Sequence, residues 1–276
     1  MQNDKLMGKH NTYQEIAPGI YCMQTGKGIN RSNVYFVRSG LSWVLIDAAS
    51  ANCGQVIKKV AESLFGTNTR PACILLTHDH PDHAGAALEL ARTWNCVVYL
   101  HPNELDLAVN GSLATFQRYA NPLDRWIILP ILRIMPRSKV EAMIARESLK
   151  GIAQAFDPVA GVPGLSDWEC IHTPGHAPGH IAFFRSNDRV LITGDAVVTS
   201  NLNSLWGFLL WSLRLNKQRV SGPPWYSTWN WKVAKESIAV LARLEPHVLA
   251  SGHGEPMAGE ETARELRTFV NRFSSY

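Results

Sequence analysis

From Leu76 to Gly85 the chain reads Leu76-Thr77-His78-Asp79-His80-Pro81-Asp82-His83-Ala84-Gly85, directly after the apolar, strand-like run Cys73 to Leu76. Three imidazoles and the carboxylate of Asp82 thus fall within six residues of a chain that has only ten histidines. That density constrains the fold, because the segment must leave a strand and open onto a site. His78 and His80, two apart on extended backbone, project to one side, whereas Asp82 and His83 fall where a helical pattern begins at Ala84. One segment can therefore serve two neighbouring metal ions.

The rest of the chain supplies a layered frame for this segment. Tyr13 to Ile16, Ile20 to Gln24, Asn33 to Val37 and Trp43 to Ile46 read as short strands broken by Pro18-Gly19, Gly26, Gly28 and Gly40. Asp47 closes the last of them, and Cys53 to Leu64 follows with helical spacing until Gly66. A carboxylate at that strand end can cap a helix or hold a metal-bound histidine. Strand Cys73 to Leu76, helix Ala84 to Trp94 and strand Cys96 to Leu100 then give β-α-β alternation. From Pro102 to Ala155 the pattern is helical. Pro130 must kink or break the apolar stretch Leu123 to Met135, and Val140 to Phe156 reads as one amphipathic helix.

Strands Trp168 to His172 and Ile181 to Arg185 enclose Thr173-Pro174-Gly175-His176-Ala177-Pro178-Gly179-His180. Two Pro-Gly pairs force tight turns and place His176 at the exposed apex of a stiff loop, as a preorganised ligand. His172 and His180 flank it, and hydrogen bonding within the loop suits them better than ligation. Strand Arg189 to Thr193 runs into Gly194-Asp195. Helix Trp231 to Leu244, strand Val248 to Ala250, the loop Ser251-Gly252-His253-Gly254 and helix Glu260 to Phe273 complete the chain.

Composition narrows the class. Apolar residues at 46% and charged residues at 18% are globular proportions, and a net charge of +4 is too mild to indicate a nucleic-acid partner. Five widely spaced cysteines, Cys22, Cys53, Cys73, Cys96 and Cys170, read as buried free thiols in a reducing compartment. The polar start, Met1 to Tyr13, lacks the apolar core of a signal peptide, which makes the cytoplasm the expected location. The expectation is one α/β domain over 1–276, with a helical insertion at about 102–155 and a Trp-rich insertion at about 197–231.

His78, His80, Asp82, His83, His176, Asp195 and His253 each fall at or just after the C-terminal end of an expected strand, which gathers them on one edge of a sheet. Seven such groups suit two divalent metal ions. Imidazole and carboxylate without thiolate favour Zn²⁺, with Fe or Mn as alternatives.

The motifs H-x-H-x-D-H at 78–83, T-P-G-H-x-x-G-H at 173–180, G-D at 194–195 and G-H-G at 252–254 resemble those of the metallo-β-lactamase superfamily. The resemblance covers nearly the whole chain outside the two insertions and implies a four-layer αβ/βα sandwich. It implies that His78, His80 and His176 hold one metal and Asp82, His83 and His253 the other, with Asp195 bridging and Asp47 supporting from behind. It further implies a binuclear hydrolase in which a metal-bridging hydroxide attacks a small-molecule ester, thioester or lactone, with Asp82 and Asp195 orienting the water or relaying its proton. An aspartate at 195 resembles the glyoxalase II and lactonase branch. The lactonase-type tyrosine three residues later is missing, since that position is Val198, and the glutathione-binding residues of glyoxalase II are not recognisable. An iron-dependent persulfide dioxygenase and a phosphodiesterase share much of the same ligand set. A non-enzymatic scaffold is disfavoured by the intact ligands.

Leu123 to Met135 and Leu202 to Leu215 are the most apolar stretches, and both are flanked by Arg or Lys. Neither makes a membrane span, being too short or too polar. They pack as extra core, or they form a lid whose inner wall, with Trp126, Trp206 and Trp211, holds an apolar substrate portion above the metals. Arg125, Arg133, Arg137, Arg214 and Lys217 would then meet an anionic head group or a lipid surface. A homodimer contact is a further use of such a face.

Overall fold

Alternation along the strands dictates the layering. In the strand Ser32–Ser39, Val34 and Phe36 enter one apolar cluster while Tyr35 and Val37 enter another, because successive side chains point to opposite faces. The strand Ile181–Arg185 repeats the pattern, with Ile181 and Phe183 on one face and Ala182 and Phe184 on the other. Both strands are therefore buried on two sides, which requires two sheets face to face with helices outside.

A computed structural model describes residues 13–273, apart from positions 27, 29, 30, 214 and 216. The first sheet has seven strands in sequence order: β1 (Tyr13–Ala17), β2 (Ile20–Thr25), β3 (Ser32–Ser39), β4 (Ser42–Ile46), β5 (Cys73–Leu75), β6 (Val97–Leu100) and β7 (Ala153–Ala155). Pairing is antiparallel from β1 to β4 and parallel from β4 to β7. The second sheet comprises β8 (Glu169–His172), β9 (Ile181–Arg185), β10 (Val190–Gly194), β11 (Val248–Ser251) and β12 (Met257–Ala258), in the order β12-β11-β10-β9-β8, with only β10 and β11 parallel.

Helices α1 (Gly54–Phe65), α2 (Pro81–Ala84) and α3 (Ala87–Trp94) precede β6; α1 and α3 cover the first sheet through Ile57, Val60, Leu90 and Trp94. The first insertion holds α4 (Pro102–Asn110), α5 (Leu113–Arg118), a π-helical turn (Asp124–Ile128), α6 (Leu129–Ile134) and α7 (Arg137–Glu147); the second holds α8 (Leu205–Ser212). Helices α9 (Trp231–Ala242) and α10 (Glu261–Phe273) cover the second sheet through Ile238, Leu241 and Leu266. The result is the expected four-layer mixed α/β sandwich. Phe183, fully buried between the sheets, shows what holds it together, since truncating such a side chain to alanine costs about 3–5 kcal/mol.

Three local expectations are corrected. The helix expected from Ala84 to Trp94 is two pieces, because His83, Ala84 and Ala86 bond back to His80 and Ala49 and fix the ligand segment before α3 starts. The helix expected over Val140 to Phe156 stops at Glu147; Gly151 turns the chain at positive φ, and Ala153 to Ala155 pair with the open edge of β6 as strand β7. The insertion is accordingly shorter than 102–155. Pro130 does not break its helix. The Leu129 amide bonds to Asp124 in a π turn just before it, which absorbs the proline's missing amide and its ring. All five cysteines are free thiols, with Cys96 and Cys170 only partly buried.

Candidate metal centre

The parallel neighbours β4 and β5, and β10 and β11, bring their C-terminal ends to the place where the two sheets meet. Backbone bonds fasten that seam, from Asn33 N to the Gly252 carbonyl at 2.8 Å and from Ile181 N to the Thr77 carbonyl at 2.9 Å. The Tyr35 hydroxyl adds a bond to the Ser251 carbonyl at 2.6 Å. Glycine is required twice along this edge. Gly194 has φ +48 and faces His180 and Thr77, and a Cβ on Gly252 would collide with the Asp195 carboxylate and the His83 ring.

All seven expected ligands converge at this seam. Ligand atoms of His78, His80 and His176 lie within 4.8 Å of one another, as do those of Asp82, His83 and His253, and those of His78, His83 and Asp195. Asp195 sits between the groups, with Oδ2 3.5 Å from His176 Nε2 and 3.2 Å from His253 Nε2, and Oδ1 3.4 Å from His83 Nε2. Asp82 Oδ2 lies 3.2 Å from His253 Nε2. His176 is not at an exposed apex as expected: it is buried, because Trp229 and Asn230 bond across its loop and close it over.

The imidazoles are held from outside. His83 Nδ1 is 2.8 Å from Asp47 Oδ2, His253 Nδ1 is 2.7 Å from the Arg31 carbonyl, and His78 Nδ1 is 3.0 Å from Thr77 Oγ1. A carboxylate and a carbonyl can only accept, so His83 and His253 keep a proton on Nδ1. Thr77 Oγ1 donates to Asp47 Oδ2 at 2.9 Å and is left to accept from His78. When neutral, all three rings therefore turn an Nε2 lone pair inward. Asp47 anchors this arrangement from a left-handed backbone conformation, φ 60, which aspartate tolerates better than most residues.

His78 Nε2, His83 Nε2 and Asp195 Oδ1 are buried with no hydrogen-bond partner. Buried polar atoms are almost always paired, so three orphans facing a common point fit a bound cation. His180 differs. Its Nδ1 bonds to Thr173 Oγ1 at 2.8 Å and its Nε2 accepts the Asp195 amide at 3.0 Å, which leaves no lone pair for a metal. It positions Asp195 instead. His172 bonds to the Pro178 carbonyl and stacks on His101.

The electrostatics divide the centre. Burial and the neighbouring imidazoles hold His78 and His176 well below the usual histidine range. Burial also opposes a proton on His83 and His253, yet Asp195 and Asp82 overcome it, holding His83 well above that range and pushing His253 up to about 10. Burial would raise the Asp82 and Asp195 carboxyls, but His83 and His253 hold both well below the ordinary carboxylate range.

Several neighbours of the centre carried no signal in the sequence. Glu104 on α4 is buried and accepts from the Gly179 amide at 2.6 Å and the Asp79 amide at 3.2 Å, tying two ligand loops together. Thr228 faces His176 Nδ1, and Arg31 reaches the Trp211 carbonyl at 3.0 Å. Tyr226, from the second insertion, is pushed up to about 12 by burial and by the charges of Asp195 and Asp82. Of the tryptophans expected to line an inner wall, only Trp211 is buried, edge-on to His253 with ring centroids 5.5 Å apart. Trp126 and Trp206 are 81% and 73% exposed, so they form an outer surface.

Two apposed sheets with a His/Asp cation centre at their common strand ends define a class of layered α/β proteins, and comparison with known proteins gives the family. The model of the metallo-beta-lactamase superfamily matches residues 28–253. The chain belongs to that superfamily. It is 36% identical over 267 residues to the probable metallo-hydrolase YflN of Bacillus subtilis, covering 95% of this chain and 93% of that one. The hydroxyacylglutathione hydrolase GloC of Haemophilus influenzae is 30% identical over 158 residues, covering 55% of this chain and 61% of that one. Among solved structures, the metallo-beta-lactamase family protein TTHA1429 from Thermus thermophilus aligns with a TM-score of 0.64 at 21% identity, covering 95% of this chain and 80% of that one. A di-iron-bound form of TTHA1623 aligns at 0.52 with 25% identity, covering 88% and 98%.

Proposed function

We propose that the chain is a binuclear metal-dependent hydrolase of a carboxylic ester, thioester or lactone that carries an apolar portion. The observation that carries this reading is the set of orphaned, buried ligand atoms, His78 Nε2, His83 Nε2 and Asp195 Oδ1, at the junction of two His/Asp clusters. In it His78, His80 and His176 hold one ion and Asp82, His83 and His253 the other, with Asp195 between them. The name of the Bacillus relative, a probable metallo-hydrolase, supports the same class. The nitrogen and oxygen donors favour Zn²⁺, and the di-iron-bound form of TTHA1623 makes iron the first alternative.

Divalent ions in such a centre acidify water and polarise a carbonyl oxygen. The chain supplies the rest. Asp82, partly exposed where Asp195 is buried, can orient the attacking water and relay its proton to the leaving group. Asp195 lowers the net charge of the centre and is fixed through its amide by His180. Trp211 and Phe208, with Tyr226 against Phe208, close the His253 side of the site with apolar surface.

The test combines metal analysis with a panel of esters, thioesters, lactones and phosphodiesters of graded chain length. The expected result is two ions per chain, hydrolysis of carboxylic substrates that improves with acyl length, and loss of metal and activity in Asp195→Ala and His253→Ala. Two ions retained in both variants would overturn the ligand assignment. Turnover only of phosphodiesters, or oxygen consumption with persulfides, would overturn the substrate class.

A further inference from the structure

We propose that the exposed apolar sides of α8 and of the π turn with α6 dock onto an anionic lipid surface. This goes beyond the hydrolase reading and does not depend on it. Helix α8, Leu205-Trp206-Gly207-Phe208-Leu209-Leu210-Trp211-Ser212, has no charged residue and is apolar on every side. One side is used, since Trp211 packs on His253, but Leu205 is 82% exposed and Leu209 and Leu210 stand beside Trp206 in solvent. A helix apolar all round belongs in a core or against a membrane. The π turn and α6 repeat the feature, with Trp126, Ile127, Ile131 and Ile134 all exposed.

Helix α8 borders the ligand-bearing edge, since Trp211 contacts His253, and the two insertions touch where Tyr119 meets Trp229. Exposed apolar surface on this scale marks an interaction site rather than ordinary surface scatter.

Charge identifies the occupant. Residues 125–140 contain Arg125, Arg133, Arg137 and Lys139 and no acidic residue, and residues 196–235 contain five Lys and Arg and again no acidic residue. These two segments hold nine of the 27 basic residues, leaving 18 against 23 acidic residues in the rest of a chain whose net charge is +4. Arg137 pairs with Glu141 and Arg125 donates to the Ala120 carbonyl, while Arg133, Lys139, Lys217 and Arg219 are exposed. Arg214 lies outside the described residues. A second copy of the chain docked about a two-fold axis would set these basic rims against each other, since the bordering carboxylates Asp124 and Glu141 are already engaged by the Asn121 amide and by Arg137. An anionic bilayer complements the rims, and exposed tryptophans suit its interface. Among the described residues no helix is long and apolar enough to cross a membrane, so α8 would lie in the interfacial plane.

Flotation of the full chain tests this, with vesicles of phosphatidylcholine alone and with about one third phosphatidylglycerol added. The expected result is partition onto the anionic vesicles only, released by salt. Trp206→Glu should lower the partition at least tenfold, and Arg133→Glu combined with Lys217→Glu at least about 25-fold, at roughly fivefold for each positive charge removed and more for its reversal. All three positions are exposed, so unchanged thermal unfolding is the folding control; should Trp206→Glu fail it, the charge reversal decides alone. No flotation with anionic vesicles, equal binding to neutral ones, or binding indifferent to the substitutions overturns the proposal. So does a dimer in light scattering that Trp206→Glu dissolves while vesicles are ignored.

Discussion

Replacing Asp47 by asparagine changes one atom from an acceptor to a donor at the back of the centre. Asp47 Oδ1 accepts the Thr77 amide at 2.8 Å, and Oδ2 faces His83 Nδ1 at 2.8 Å and Thr77 Oγ1 at 2.9 Å. In Asp47→Asn the side-chain oxygen must stay on the Thr77 amide, because the opposite flip would set two donors against each other. The NH₂ group therefore faces His83 Nδ1, which can receive it only by giving up its proton. That proton moves to Nε2, the atom that faces Asp82 and Asp195. His78 is spared, since Thr77 Oγ1 can still donate to the asparagine oxygen and accept from His78 Nδ1. Asparagine also tolerates the left-handed φ of 60, so the backbone has no reason to move. Loss of such an outer partner typically weakens metal affinity 10 to 100-fold, or about 1.4–2.7 kcal/mol. The expected outcome is selective: the ion held by Asp82, His83 and His253 is lost on dialysis at limiting metal, and the one held by His78, His80 and His176 is kept. Asp47→Ala, by contrast, leaves the Thr77 amide unpaired and should also lose about 1–3 kcal/mol of stability. Metal titration with stoichiometry by elemental analysis reads the difference. An Asp47→Asn protein with two ions at unchanged affinity would refute the tautomer argument.

Further outcomes are expected. His176→Ala should abolish one metal site, whereas His180→Ala should keep both ions and lower activity about 10 to 100-fold, as measured by metal content and kcat, because His180 acts through the Asp195 amide. Glu104→Ala should cost about 2–4 kcal/mol in chemical denaturation, since the Gly179 and Asp79 amides lose their acceptor. In the metal-free protein Asp195 and Asp82 push His253 up to about 10 against burial, above its ordinary 6.5. A folded value above the unfolded one contributes stability that is complete below about pH 6.5 and is lost as pH rises toward 10. Thermal unfolding of the metal-free chain should therefore fall across that interval, and metal addition should release protons within it, which calorimetry in buffers of different ionisation enthalpy detects.

The frame was legible because it is written in periodicities that tertiary packing then satisfied. Strands such as Ser32–Ser39 and Ile181–Arg185 carry apolar side chains on both faces, and only a sandwich with outer helices can bury both. The convergence of the candidate ligands was legible for a related reason: each follows a strand, and strand ends on parallel neighbours such as β10 and β11 necessarily share an edge. The reading failed where two local preferences competed. Leu149, Ile152 and Phe156 keep a helical spacing, but Gly151 and the unpaired edge of β6 turned that stretch into β7. Pro130 argued for a break, and a π turn removed the conflict without one.

What sequence could not show is what lies behind and above the candidate metal centre. Thr77, Arg31 and Thr228 act on His78, His253 and His176 through single hydrogen bonds, and no spacing announces a partner that is 222 residues away, as Arg31 is from His253. Glu104 stands in an unremarkable helical pattern and becomes important only because α4 is laid across two ligand loops. The burial of Trp211 and the exposure of Trp126 and Trp206 were likewise invisible, since all three sit in equally apolar stretches. Apolarity in sequence says that a residue prefers to leave water, not which surface receives it. For α8 the fold fills one side, with Trp211 against His253, and leaves Leu205 and Trp206 facing out from a stretch of sequence, 196–235, that carries basic residues and no acidic one. That asymmetry, and not the apolar count, separates an inner wall of the site from an outer face that has yet to meet its partner.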